Sequence, residues 1–121
     1  MTAQAHIQLG TLDDGAIARL CASRDAQAIR HVTLCNNQRL FRAAWSILKD
    51  RSEAEEAVQA AYVSAFAAIE GFAGRSSLST WLTRIVINES LGRLRSERRR
   101  RKALGEEGVA LMEQFRDRLS A

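Results

Sequence analysis

Four groups of side chains in this sequence have types and spacings that can do chemistry. Glu53, Glu56 and Gln59 stand at i, i+3 and i+6, so on a helix they share one broad face. Carboxylates there can pair with arginines of a partner helix, and Gln59 can add directional hydrogen bonds. The same pattern also describes a solvated face that gains only a few tenths of a kcal/mol (roughly) from the helix dipole. The second group is the stretch 71–77, with Gly71, Phe72, Gly74, Arg75, Ser76 and Ser77. Glycines allow close backbone approach, and serines at a helix start offer hydroxyls and free amides to a phosphate or a base edge. Phe72 can stack an extruded base or simply fill a core. Trp81 and Asn88 form the third group, seven residues apart and so near one helical face. Tryptophan on an apolar stripe is usually core, and a mid-helix asparagine is unfavourable without a hydrogen-bonding use. The fourth group is basic: Arg84, Arg93, Arg95, Arg98, Arg99, Arg100, Arg101 and Lys102. Such a cluster attracts phosphates in a salt-dependent way and carries little sequence information. Its plainer reading is a frayed basic helix end that neutralises the dipole.

Other chemistries find no support. His6 and His31 stand apart, no Glu-x-x-His occurs, and the serines lack a nucleophile elbow. Cys21 and Cys35 have neither metal-site nor disulfide-framework spacing and read as thiols in a reducing cytoplasm. The expectation is a non-enzymatic binding protein without metal or cofactor. With 121 residues the chain forms one domain with one modest core. The N-terminus has no apolar run flanked by basic residues, and no stretch reaches the roughly 20 apolar residues of a membrane span, so neither a secretory signal nor membrane insertion is expected. The net charge is +4, modest enough that placement matters more than total. An acidic segment from Asp50 precedes a basic one ending at Lys102, which points to two partners of opposite charge.

The elements that must position these groups are helical. Alanine is abundant, proline is absent, and no strand alternation stands out. The expectation is an all-α, compact bundle of four to five helices. Residues 1–10 read as a flexible N-terminus. Thr11 or Asp13 caps a first helix with Ile17, Leu20 and Cys21, and Asp25 caps a second running to about Lys49, with Asn36 and Asn37 as a weak point. Ser52 with Glu55 fits a capping box for the third helix. Gly71 and Gly74 end that segment, and Ser76 or Ser77 caps a fourth helix. The fourth has an apolar stripe of Leu78, Trp81, Leu82, Ile85, Leu91 and Leu94, widened by Val86 and Ile87. Residues 103–121 read as a linker and short amphipathic helix with Leu111, Met112, Phe115 and Leu119, which packs back on the bundle or docks elsewhere.

Several runs resemble region 2 of bacterial RNA polymerase sigma factors, above all the extracytoplasmic-function group. They are Leu40-Phe-Arg-Ala-Ala-Trp-Ser-Ile-Leu-Lys-Asp, Ala54-Glu-Glu-Ala-Val-Gln-Ala-Ala-Tyr, Phe72-Ala-Gly-Arg-Ser-Ser-Leu-Ser-Thr-Trp-Leu-Thr-Arg-Ile-Val-Ile-Asn, and Leu94-Arg. The resemblance covers roughly residues 13–102, and its most specific piece is 72–88. It implies a promoter-binding domain that works in the cytoplasm. Glu53, Glu56 and Gln59 would dock on the clamp helices of the largest polymerase subunit in the RNA polymerase core. Phe72, Arg75, Ser76, Ser77, Trp81, Arg84, Asn88, Arg93, Arg95, Arg98 and Arg99 would bind the promoter minus-ten element, chiefly its single non-template strand, with one base flipped into a pocket. An anti-sigma factor is a further candidate partner.

The sequence departs from the family pattern at Ala60, where an acid is usual, at Glu53 and Glu56, where Asp is frequent, and at Gly92, where a better helix former is usual. No counterpart of the distal helix-turn-helix domain of complete members is expected in these 121 residues, which then read as a fragment, a truncated paralogue or a half that works with another chain. Two further readings stay open: a sigma-like interaction module that has lost promoter binding, and a sequence-independent nucleic-acid binder that uses the arginine run alone.

Overall fold

The structure, a computed structural model, describes residues 9–120. Among these residues, four α-helices are bounded: α1 (Asp14–Ala22), α2 (Ala26–Leu48), α3 (Arg51–Ala67) and α4 (Leu78–Ser120), with a 3-10 turn at Ile69–Gly71. Among the described residues the architecture is all-α. Helices α2, α3 and α4 pack mutually, and α1 lies against α2 and the 3-10 turn.

Local capping chemistry sets the starts. Asp13 and Asp25 accept the amides of Ala16 and Ala28, as the Asp-x-x spacing requires. The cap of α3 is Asp50, not Ser52: its carboxylate accepts the Glu53 amide at 2.9 Å, which starts the helix two residues earlier than the Ser52 box predicts. Helix α2 ends on Lys49 in the left-handed region (φ 56°), with its ammonium 4.7 Å from the Trp45 ring centroid. Arg24 is also left-handed (φ 65°), and its guanidinium donates to the Phe66 carbonyl near the end of α3.

The core uses steps of four. Ala28, Val32, Asn36, Leu40 and Ala44 are buried on α2, and Ala54, Ala57, Val58, Ala61 and Ala65 on α3. The alanines let neighbouring helices approach closely. On α4 the buried row is Leu78, Leu82, Val86 and Ser90. The predicted stripe through Trp81, Ile85, Leu91 and Leu94 lies on its flank: Trp81 and Ile85 are half-buried and Leu91 is exposed. Asn36 does not break α2. It is buried, donates to the Val32 carbonyl at 2.8 Å, and accepts the Ser79 hydroxyl of α4 at 2.7 Å. Leu9, expected in the flexible terminus, is buried in the core, and residues 1–8 lie outside the described residues.

Gly105 (φ 74°, ψ 173°) bends α4 into limbs 78–104 and 106–120. The second limb turns back on the end of the first, where Arg101 pairs with Glu113 at 2.8 Å beside a groove of about 220 Å3. Leu111, Met112, Phe115 and Leu119 remain exposed rather than joining the core.

Candidate nucleic-acid interface

Helix α4 carries one continuous outer stripe. Arg84, Asn88, Leu91, Arg95, Arg98 and Lys102 follow in steps of four and three, which on an α-helix keeps them on one side. All six are exposed. The stripe covers eighteen residue steps, roughly 27 Å at 1.5 Å each. Four cations and one amide therefore line a single rod, with an apolar side chain between Asn88 and Arg95. Of the remaining predicted cations, Arg99 is exposed beside the stripe, whereas Arg100 and Arg101 are tied to Glu97.

Arg93 does not join this stripe. It faces α3, where Nη1 lies 3.4 Å from Glu53 and 3.5 Å from Glu56, and Nε lies 3.2 Å from Glu89. The two predicted surfaces thus meet at Arg93, on the side of α4 away from Asn88.

At the N-terminal end of the stripe, Phe72 and Trp81 meet edge to face, with centroids 5.6 Å apart and planes at 66°. Both are half-buried against the core. Phe72 also lines a cavity of about 370 Å3 with Ala18, Arg19, Ala22, Ile69 and Gly74. Gly74 has φ 73°, which a side chain would strain. Arg75 is exposed in the loop.

Side chains already hold part of the start of α4. The Leu78 amide donates to the Asp14 carboxylate at 2.7 Å, and the Thr80 amide donates to Ser77 Oγ at 3.1 Å. Ser76 Oγ donates to the Ser77 carbonyl. Two amides of the first turn, those of Leu78 and Thr80, are thus taken, one of them by a carboxylate that repels anions. Sequence reasoning missed Asp14 because its partner is 64 residues away. It also missed Arg19 at the cavity, which only the tertiary fold brings to Phe72.

On α3, Ser52, Glu56, Gln59 and Val63 follow in steps of four, three and four, and all are exposed. Val63 is 72% exposed, an apolar contact beside Gln59 that a helical-wheel reading finds once the buried alanines fix the inner face. Glu53 sits nearer α4, half-buried at Arg93.

Two titratable groups depart from their ordinary values. Burial raises Tyr62 to about 12; its hydroxyl donates to Asn37 Oδ1 at 2.6 Å. Burial, then the nearby Asp25 charge, raises the Cys21 thiol. Among the described residues no group of three or more His, Cys, Asp and Glu side chains is placed to hold a metal ion, and no helix is long and apolar enough to cross a membrane.

The family model described as Sigma-70 region 2 matches residues 34–100, from within α2 through the first limb of α4. Two proteins named ECF RNA polymerase sigma factor SigG, from Mycobacterium tuberculosis strains CDC 1551 / Oshkosh and ATCC 25618 / H37Rv, are each 52% identical over 48 residues. The matched stretch is 40% of this chain and 13% of each relative. No solved structure matches. Since the family model runs over more than half of the sequence and across the helices that carry both surfaces, the chain belongs to the sigma-70 region 2 family.

Proposed function

We propose that this chain is the part of a transcription initiation factor that joins RNA polymerase core to the promoter. The outer ridge of α3, with Glu53 at its edge and Glu56, Gln59 and Val63 along it, docks on the clamp helices of the largest polymerase subunit. The outer stripe of α4 holds the non-template strand of the minus-ten element. The observation that carries this reading is the single exposed row from Arg84 to Lys102, with Asn88 among its cations.

The division of labour follows from the side chains. Arg84, Arg95, Arg98 and Lys102 attract phosphates and set register. Asn88 supplies donors and an acceptor to a base edge. The Phe72–Trp81 pair offers aromatic surface where the row begins, and the cavity beside Phe72, with Arg19 on its wall, takes an unpaired base. Strand opening is thereby favoured by binding energy: each captured base no longer pairs with its complement. No covalent step is involved, and the work is done in the cytoplasm. An anti-sigma factor that covers either surface would block it.

Charge reversal separates the two halves. Glu56→Arg is expected to weaken binding to core polymerase at least tenfold (about 1.4 kcal/mol) while single-strand binding persists. Equal loss of both activities would overturn the separation of surfaces.

A further inference from the structure

One guanidinium, Arg93, contacts three carboxylates from two helices. Glu53 and Glu56 come from α3, and Glu89 lies one turn before Arg93 on α4. The Arg93 side chain is 27% exposed, against 46% for Glu53 and 61% for Glu56. The better-buried cation therefore holds two more exposed acids from behind. A cleft of about 370 Å3 opens beside them, bordered by Gly92, Ser96 and Arg100. One cation among three acids leaves the group net negative.

We propose that Arg93 is a positioning residue for polymerase docking: it fixes Glu53 and Glu56 so that α3 presents an ordered pair of carboxylates to a basic helix. The proposal rests on the docking reading of α3 given above. A planar guanidinium suits this task because its donors point in fixed directions, whereas an ammonium is a point charge. Exposed carboxylates otherwise sample several rotamers, and ordering them costs entropy on binding.

Two effects of Arg93 oppose each other. Its charge repels a basic partner, and its geometry prepares the acids for that partner. Glu89 bonds Nε and offsets much of the charge, and solvent screens the rest. Orientation therefore wins, and removing a cation from an acidic surface weakens its hold on a basic partner. Simple electrostatics gives the opposite sign.

The test uses the full chain and core RNA polymerase, with association and dissociation rates measured for wild type, R93Q, R93K and E56R, and thermal unfolding recorded for each. For R93Q the expected result is roughly three- to tenfold weaker binding that comes from faster dissociation, with association unchanged or faster. R93K keeps the charge without the fork and is expected to recover only part of the loss. If R93Q unfolds, R93K carries the test. Wild-type dissociation from the folded Arg93 variant overturns the proposal. If E56R weakens binding while R93Q and R93K do not, the positioning role alone fails. If E56R has no effect either, the docking reading fails and takes the proposal with it.

Discussion

The Asp14 carboxylate accepts the Leu78 amide at 2.7 Å, so a residue of α1 caps α4 from 64 positions away. This bond ties α1 to the start of the helix that carries the exposed cationic stripe. Asp14→Ala removes the cap and is expected to cost about 1 kcal/mol of stability, with Asp14→Asn closer to wild type. Chemical denaturation checks this. An unchanged midpoint for Asp14→Ala would show that water replaces the carboxylate without loss.

Asn36 joins α2 to α4 inside the core through Ser79. Asn36→Ala strands the Ser79 hydroxyl and opens space beside it, with an expected loss of about 2 kcal/mol. The double variant with Ser79→Ala is expected to lose less than the two singles added together, since each single already breaks the shared bond. Additive losses would contradict the pairing.

Tyr62 is the only tyrosine in the chain, so its ionisation can be followed by absorbance without ambiguity. Burial raises it from 10.0 to about 12. The folded state therefore keeps the phenolic proton after the unfolded state has lost it. Stability is fully present below pH 10 and falls as pH rises from 10 towards 12. Absorbance titration is expected to show tyrosinate forming well above pH 10, and a normal curve would contradict the burial.

The two thiols differ in the same physical sense. Cys35 is exposed, while Cys21 is buried with a raised thiol pKa. A thiol reagent is expected to modify one cysteine in the folded protein and both in denaturant, with Cys35→Ser abolishing the native reaction. Fast native labelling of Cys21 would contradict its burial.

Much of the fold was legible because its signals are local. Asp13 and Asp25 bond amides three residues on, and the long runs of α2 and α3 follow alanine content and helical period. Ser52 was mistaken for the cap of α3 because Ser and Asp rank almost equally, and Asp50 stands only two residues before it. What local signals could not give was direction. Leu91 and Leu94 look like core in any hydrophobicity pattern, yet α4 turns Leu82, Val86 and the polar Ser90 inward because α2 and α3 approach on that side. The same rotation sends Arg93 to the acids of α3 and separates it from Arg95, its neighbour by two in sequence. Spacing alone puts Trp81 and Asn88 near one face, and the fold separates them by burial, with Trp81 half-buried and Asn88 exposed.

On the proposed function, the outer face of α4 reads an unpaired promoter strand. The most direct test is selection of short single-stranded oligonucleotides from a randomised pool, with and without core polymerase, at two salt concentrations, followed by anisotropy on the selected strands. The expected outcome is enrichment of one short sequence, tighter binding with core, loss of selectivity in Asn88→Ala, and in Arg95→Ala a roughly uniform weakening with a salt slope smaller by about 1. Sequence-blind binding that collapses with salt, and that Asn88→Ala leaves unchanged, would contradict it.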